Sequence, residues 1–327
     1  MDKLITAFTH NIDEAIAIAK TSHIHPADRE IRNIVICGMG GSGIGGKLVS
    51  QWIAGEITLP VSLCQDYTLP NFVDKHTLVI GSSYSGNTEE TLAALDIAHQ
   101  KGALIKCISS GGTLQQFCKD NKYDVIIVPG GNQPRAAIAY SLVQLLHIFR
   151  SMGMISGKSL EEINLGKEAI NANLEANKAE GKKIADFLFG KVGIIYSEAS
   201  YEGVAVRARQ QLNENSKFLG WTHAIPEMNH NELVGWGGGS DKFAVIFIRT
   251  EDMNPRNAAR MDLTHEIISK KTPHIYELKA KGESLIERSL HLINVMDWAS
   301  YYLVDLNKVD VFDIKVINHL KDSLAKI

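Results

Sequence analysis

The stretch Thr77-Leu-Val-Ile-Gly-Ser-Ser-Tyr-Ser-Gly-Asn-Thr-Glu-Glu90 decides the fold. It opens on a short apolar run, the pattern of a strand buried on both faces. It closes on two acids, placed where the first turn of a helix favours negative charge. Between them Ser83, Ser85 and Thr88 surround a Gly-Asn turn. One hydroxyl suffices to cap a helix. Three of them form a shell of short donors of the kind that suits a phosphate monoester. Strand, turn and helix in this order predict a βαβ unit and a parallel sheet.

The same order recurs on both sides. Upstream, an apolar run over residues 33–38 leads into Gly38-Met-Gly-Gly-Ser-Gly-Ile-Gly45 and a helix over residues 44–54. Residues 61–64, 103–108 and 125–128 read as further strands, and residues 89–101 and 134–152 as helices. A Lys/Glu/Asn-rich stretch over residues 156–183 breaks the alternation and reads as a helical connector. Strands at residues 192–196, 243–248 and 274–278 then alternate with helices at 202–212, 257–270 and 285–304. Residues 221–236 read as a long loop, and residues 313–325 as a closing amphipathic helix. The expectation is an α/β chain of two domains, each a parallel sheet flanked by helices in three layers. They cover residues 1–155 and 186–327, joined by the connector at 156–185.

Composition narrows the function classes. The chain has 327 residues, 45% hydrophobic and 22% charged, with a net charge of −3. These are globular values, and without a basic excess nucleic acid is not an expected partner. The amino-terminal segment mixes acids with apolar residues and reads as an amphipathic helix, not a signal peptide. No apolar run approaches the ~18 residues of a membrane span. Four widely spaced cysteines fit buried, reduced thiols, so the cytoplasm is the expected location. No Cys, His and acid cluster has metal spacing, so neither metal nor cofactor is expected. Gly38-x-Gly40-x-x-Gly43 invites a dinucleotide reading, but Asp66 lies too far on to be its acidic partner.

Ser83-Tyr-Ser-Gly-Asn-Thr88 resembles the phosphate-binding loop of the sugar isomerase (SIS) domain. Gly38-Met-Gly-Gly-Ser-Gly43 is similar to the first glycine-rich loop of one branch, the bifunctional phosphoglucose/phosphomannose isomerases. The resemblance continues through Gln133-Pro-Arg135, Asn213-Glu-Asn215, Pro226-Glu-Met-Asn-His-Asn231 and Leu320-Lys321, nearly the whole chain. It implies two SIS domains of flavodoxin-like architecture, no metal, and a homodimer whose active site is shared between chains. It implies further that Gly40, Gly41, Ser42, Ser83, Ser85 and Thr88 hold the substrate phosphate, that Glu214 moves the proton, that His230 opens the sugar ring, and that Arg135 and Lys321 supply positive charge. The substrates implied are glucose 6-phosphate and mannose 6-phosphate, interconverted with fructose 6-phosphate.

Read on their own chemistry, these residues leave alternatives open. Glu214 is also an ordinary helix-end acid, and Lys321 an ordinary lysine on a solvated face. His230 is one of twelve histidines, with His223 its rival in the same segment. Arg135 follows a proline at a helix start, where a cation opposes the dipole and suggests an anionic partner. Some relatives carry a hydroxyl residue near the position of Ile314, a departure that bears on sugar preference. A sugar-phosphate-sensing regulator, or an isomerase of another sugar phosphate, is the alternative function.

Overall fold

The computed structural model describes residues 1–324 and 326. The chain divides into two compact units. The first comprises Lys3–Ala172 with Gly282–Leu290. The second comprises Met1–Asp2, Asn173–Lys281 and His291–Ile327.

The first unit is built on five parallel strands: β1 (Asn33–Cys37), β2 (Val61–Cys64), β3 (Thr77–Ser83), β4 (Leu104–Ser109) and β5 (Asp124–Ile127), in the spatial order β2-β1-β3-β4-β5. β3, the opening strand of the quoted stretch, lies at the centre and is buried along its whole length. Leu78 and Ile80 are fully buried, each contributing roughly 1.5–3 kcal/mol of hydrophobic stabilisation. Pairing in register places Val35, Val79 and Ile105 side by side. With Cys37, Cys107, Leu95 and Leu114 they form one core under the helices Glu89–Gln100 and Gly112–Asn121. The helices Phe8–Thr21 and Ile138–Ser151 pack on each other, and Gly40–Trp52 packs on the latter.

The second unit carries four parallel strands: β6 (Val192–Glu198), β7 (Gly220–Ile225), β8 (Phe243–Arg249) and β9 (Ile275–Lys279), in the order β7-β6-β8-β9. Its core joins Ile194, Tyr196, Val245 and Phe247 to Met261 and Ile268 of the helix Pro255–Ser269. The helix Glu202–Ser216 is tied to the carboxyl-terminal part of the helix Leu285–Asn307 through a buried ion pair, Arg207 to Asp297 at 2.8 Å, and Gln211 donates to the same carboxylate at 2.9 Å. Burial raises the Asp297 carboxyl, and Arg207 opposes the rise.

Three readings of the sequence are corrected. Residues 221–225 belong to a strand, β7, and not to a loop. Thr222 and His223 mask it, because an edge strand buries too little to need an unbroken apolar run. The helix expected at 134–152 is a one-turn 3₁₀ helix, Pro134–Ala136, followed by an α-helix from Ile138. The connector is two helices: Lys158–Ala172 belongs to the first unit and Leu174–Leu188 to the second. The tail helix runs from Lys315 to Leu324; Ala325, where it was expected to end, lies outside the described residues.

Candidate active site

In the first unit the strand order reverses between β1 and β3, and the crevice beyond their carboxyl ends is where open α/β sheets bind ligands. Both glycine-containing turns sit there. β1 feeds the helix Gly40–Trp52, and β3 feeds the helix Glu89–Gln100 through residues 84–88. The caps of these helices, Met39 and Thr88, make no side-chain capping bond. Two helix N-termini, each with the partial positive charge of its N–H groups, therefore open at one end of the sheet without a side chain closing them.

The hydroxyls organise the loop instead of capping the helix. Ser83 Oγ and Thr88 Oγ1 are 2.8 Å apart. Ser83 Oγ accepts from Gly86 N at 3.1 Å, and Ser85 Oγ from Asn87 N at 3.2 Å. Ser42 Oγ accepts from Tyr84 N at 3.1 Å, which joins the two turns. Ser83 and Ser42 are buried, whereas Ser85 is exposed at the rim. Gly86 is obligatory on two counts: its φ is +72°, and a Cβ there would lie 1.8 Å from Gly111 O. Gly40 also has a positive φ, +52°. A Cβ at Gly41 would approach Pro134 O to 2.9 Å, so the 3₁₀ turn carrying Arg135 packs directly on the first turn. Arg135 is 3% exposed, and its guanidinium donates to Gln133 Oε1 at 3.2 Å. The first unit thus brings together Gly40, Gly41, Ser42, Ser83, Ser85, Thr88 and Arg135.

Other residues brace this cradle. Tyr84 donates its hydroxyl to Pro129 O at 2.9 Å and accepts there from Asn132 N at 3.2 Å, while its carbonyl accepts from Ser110 Oγ at 2.6 Å. Asn87 Oδ1 accepts from both Thr113 N and Thr113 Oγ1 at 3.0 Å. Tyr84 and Asn87 carry no such signal in the sequence, because only the short serine and threonine hydroxyls advertise phosphate chemistry. Ser110 gave no signal beyond following a strand.

The second unit holds Glu214, His230 and Lys321. Glu214 is half-buried in the last turn of Glu202–Ser216. Its two neighbours anchor the helix end: Asn213 Nδ2 donates to Phe218 O at 2.7 Å, and buried Asn215 Nδ2 to Ser300 Oγ at 2.9 Å. Lys217, with φ +53°, terminates the helix and donates to Glu214 O at 2.8 Å. His230 is exposed at the end of the 3₁₀ turn Glu227–His230, and its ring makes no hydrogen bond among the described residues. Its rival His223 is engaged with Glu232 at 2.7 Å, and Glu232 also accepts from Trp221 Nε1 at 2.8 Å and from the Tyr196 hydroxyl. Burial, reinforced by that carboxylate, raises the Tyr196 phenol. Lys321 is exposed on the tail helix, which has no buried residue. Among the described residues no group of three or more His, Cys, Asp or Glu is arranged to hold a metal, and no helix is long and apolar enough to cross a membrane.

Residues 177–324 match the model of the bacterial phospho-glucose isomerase C-terminal SIS domain. The chain is 36% identical to the bifunctional phosphoglucose/phosphomannose isomerase of Caldicellulosiruptor bescii, over 97% of this chain and 96% of that one. It is also 36% identical to the protein of the same name from Aquifex aeolicus, over 90% and 91%. A D-glucosamine-6-phosphate 4-epimerase of Sulfolobus acidocaldarius is 32% identical over 72% and 74%. Among solved structures, a candidate phosphosugar isomerase of Clostridium difficile superimposes with a TM-score of 0.78 over 98% of this chain and 97% of that one, at 19% identity, which bears on the fold alone. A cradle of uncapped helix starts and loop hydroxyls, on a chain that matches these isomerases almost end to end, places it in their family: the chain belongs to the bifunctional phosphoglucose/phosphomannose isomerases, enzymes built from SIS domains.

Proposed function

We propose that the chain interconverts glucose 6-phosphate and mannose 6-phosphate with fructose 6-phosphate. The observation that carries this reading is the cradle between β1 and β3, where hydroxyls gather at two helix starts without capping either. It is chemically suited to a phosphate monoester. In this reading Gly40, Gly41, Ser42, Ser83, Ser85 and Thr88 hold the phosphate. His230 passes a proton to the ring oxygen as the C1 hydroxyl gives up its own, and the ring opens. Glu214 removes the proton from C2; the electron pair left behind becomes the C1–C2 double bond, and the C1 carbonyl pair moves onto O1 to give the enediolate. The O2 proton passes to O1, and return of the first proton from Glu214 to C1, as O2 becomes the carbonyl, gives the ketose. Arg135 and Lys321 stabilise the enediolate by charge. The enediolate has lost the configuration of C2, so both epimers can share one pathway.

The same reading includes a homodimer in which His230 reaches the active site of the partner chain, in the cytoplasm and without a metal. Supporting it are the exposure of the His230 ring and its lack of a partner among the described residues, in contrast to the engaged His223. Val316 and Leu320 add support: four residues apart, they lie uncovered on one face of the tail helix, and an exposed apolar stripe suits a protein contact.

A coupled assay on each aldose phosphate tests the activity. Turnover of both, unchanged by a chelator, is expected. Binding without turnover points to a regulator, and turnover of neither to another sugar phosphate. Mixing Glu214→Gln with His230→Ala chains under subunit exchange tests the shared site. A two-fold dimer then regains activity, because one of the two sites in each heterodimer has both groups intact. Activity no greater than the sum of the two variants, with exchange verified by mass, refutes it.

A further inference from the structure

We propose that Arg207, Gln211 and Asn215, with Asp297 and Ser300 opposite them, are positioning residues for Glu214, the base in the proposed function on which this inference rests: they form a buried polar ladder that fixes the height and rotation of the helix carrying it. The three residues of the helix Glu202–Ser216 recur every four positions and so share one face. They are 2%, 2% and 0% exposed. Arg207 Nη2 donates to Asp297 Oδ2 at 2.8 Å, and Gln211 Nε2, one turn on, donates to Oδ1 of the same carboxylate at 2.9 Å. A further turn on, Asn215 Nδ2 donates to Ser300 Oγ at 2.9 Å, and that hydroxyl donates to Asp297 O at 2.7 Å. Asn307 Nδ2 ends the row on Ser216 O at 2.9 Å.

Stability alone does not call for such a face. Taking an ion pair out of water costs about as much as the pair returns, and an apolar pair of similar volume often serves as well or better. The cost shows at Asp297, whose carboxyl is raised by burial even against Arg207 and Gln211. What an apolar seam lacks is direction. A helix advances about 1.5 Å and turns about 100° per residue, so a slip of one residue breaks every rung together. Each broken rung then leaves a buried polar group without its partner, whereas apolar side chains of similar volume can repack. Only one register satisfies the whole ladder. Glu214 lies seven residues beyond Arg207, two turns on along the same side of the helix, and next to Asn215. The ladder therefore sets where its carboxylate begins. Proton transfer is sensitive to this, because a misplacement of about 1 Å can cost about 10²-fold in rate.

The test replaces the charged rung by an apolar pair, Arg207→Met/Asp297→Leu, and separately removes the last rung by Asn215→Ala, which leaves the Ser300 hydroxyl bonded to Asp297 O. Steady-state rates on glucose 6-phosphate are expressed per folded chain, from near-ultraviolet circular dichroism and urea unfolding. In the apolar variant the urea midpoint holds or rises, kcat falls about tenfold or more, and KM stays within about twofold. Asn215→Ala and Ser300→Ala lower kcat to the same degree, and together no further, because each breaks the same bond. Ile268→Ala, a core truncation on another helix, lowers the urea midpoint but leaves kcat per folded chain and KM unchanged. The ladder's role is overturned if kcat in the apolar variant stays within about threefold of the parent, if KM rises as kcat falls, if the Asn215 and Ser300 changes are without effect or add, or if Ile268→Ala lowers kcat as far. Should the apolar variant not fold, the Asn215 and Ser300 cycle decides alone. Glu214→Gln is assayed alongside. Retained kcat there refutes Glu214 as the base and the ladder's role with it; lost kcat there, with kcat retained in the ladder variants, refutes the ladder alone.

Discussion

The two sheets share one wiring and diverge at the same point. In each, the chain leaves a central strand to one side, returns on the other, and so opens a crevice between β1 and β3 or between β6 and β8. Beyond β3 the connecting residues 84–88 are Tyr-Ser-Gly-Asn-Thr. Beyond β8 the matching residues 250–254 are Thr-Glu-Asp-Met-Asn. The first crevice is lined with hydroxyls and uncapped helix starts. The second is filled with carboxylates already in use: Glu198 Oε1 accepts from Asn254 N at 3.1 Å and Asn257 Nδ2 at 2.6 Å, and Asp252 accepts from the Tyr201 hydroxyl at 3.0 Å. Asn254 also caps the helix Pro255–Ser269 by accepting from Arg256 N. Topology therefore offers two crevices, and side-chain chemistry makes only the first a place for an anion.

The sharpest way to break this contrast is to separate grip from chemistry. If the first unit grips phosphate and Glu214 of the second transfers the proton, Glu214→Gln lowers kcat by roughly 10²–10⁴-fold, the usual worth of a general base, and leaves KM nearly unchanged. Ser85→Ala/Thr88→Val does the reverse, raising KM, with inorganic phosphate inhibiting less well. Steady-state kinetics on both variants decides it; a kcat within a few-fold of the parent for Glu214→Gln removes that residue from the role.

A second test concerns stability. The imidazole of His291 is held down at about 4 by burial and by Lys281, against an ordinary value near 6.5 in the unfolded chain. Above about pH 6.5 both states are neutral there and the stability is complete. As the pH falls from 6.5 to 4 the unfolded chain binds the proton first, and the second unit loses on the order of 3 kcal/mol. Urea unfolding across this window should show the loss, and His291→Gln should flatten it. An unchanged slope in the variant assigns the acid sensitivity elsewhere.

The smallest effect is the most local. Asn254→Ala removes a working cap and costs about 1 kcal/mol. Thr88→Val, at the matching position of the first unit, removes a hydroxyl that caps nothing; what it costs is the bond to Ser83 Oγ, about 0.5–1.5 kcal/mol, and this loss vanishes in a Ser83→Ala background. A loss in thermal unfolding that persists in that background would mean that Thr88 serves its helix after all.

Much of this was legible. Short, largely apolar runs gave eight of the nine strands found among the described residues, because strands of a covered parallel sheet carry an apolar signal without alternation. β7 escaped because Trp221, Thr222 and His223 lie at an edge, half in solvent. The cradle residues announced themselves through a local excess of hydroxyls over what a cap requires. Glu214, His230 and Lys321 did not: a helix-end acid, an exposed histidine and a lysine on a polar face are common in any chain, and only the family pattern singled them out. The asparagines on either side of Glu214 hold the helix end, Asn213 donating to Phe218 O and Asn215 to Ser300 Oγ.

The bracing of Tyr84 sets how the cradle meets its ligand. Its amide, carbonyl and hydroxyl are each bonded, to Ser42, Ser110, Pro129 and Asn132, so the loop gives up its conformational freedom when the protein folds. Ordering a flexible loop at the moment of capture would subtract from affinity. Here that subtraction is already made, and binding of phosphate should proceed at the rate of encounter, with little entropy of loop closure in its calorimetric signature.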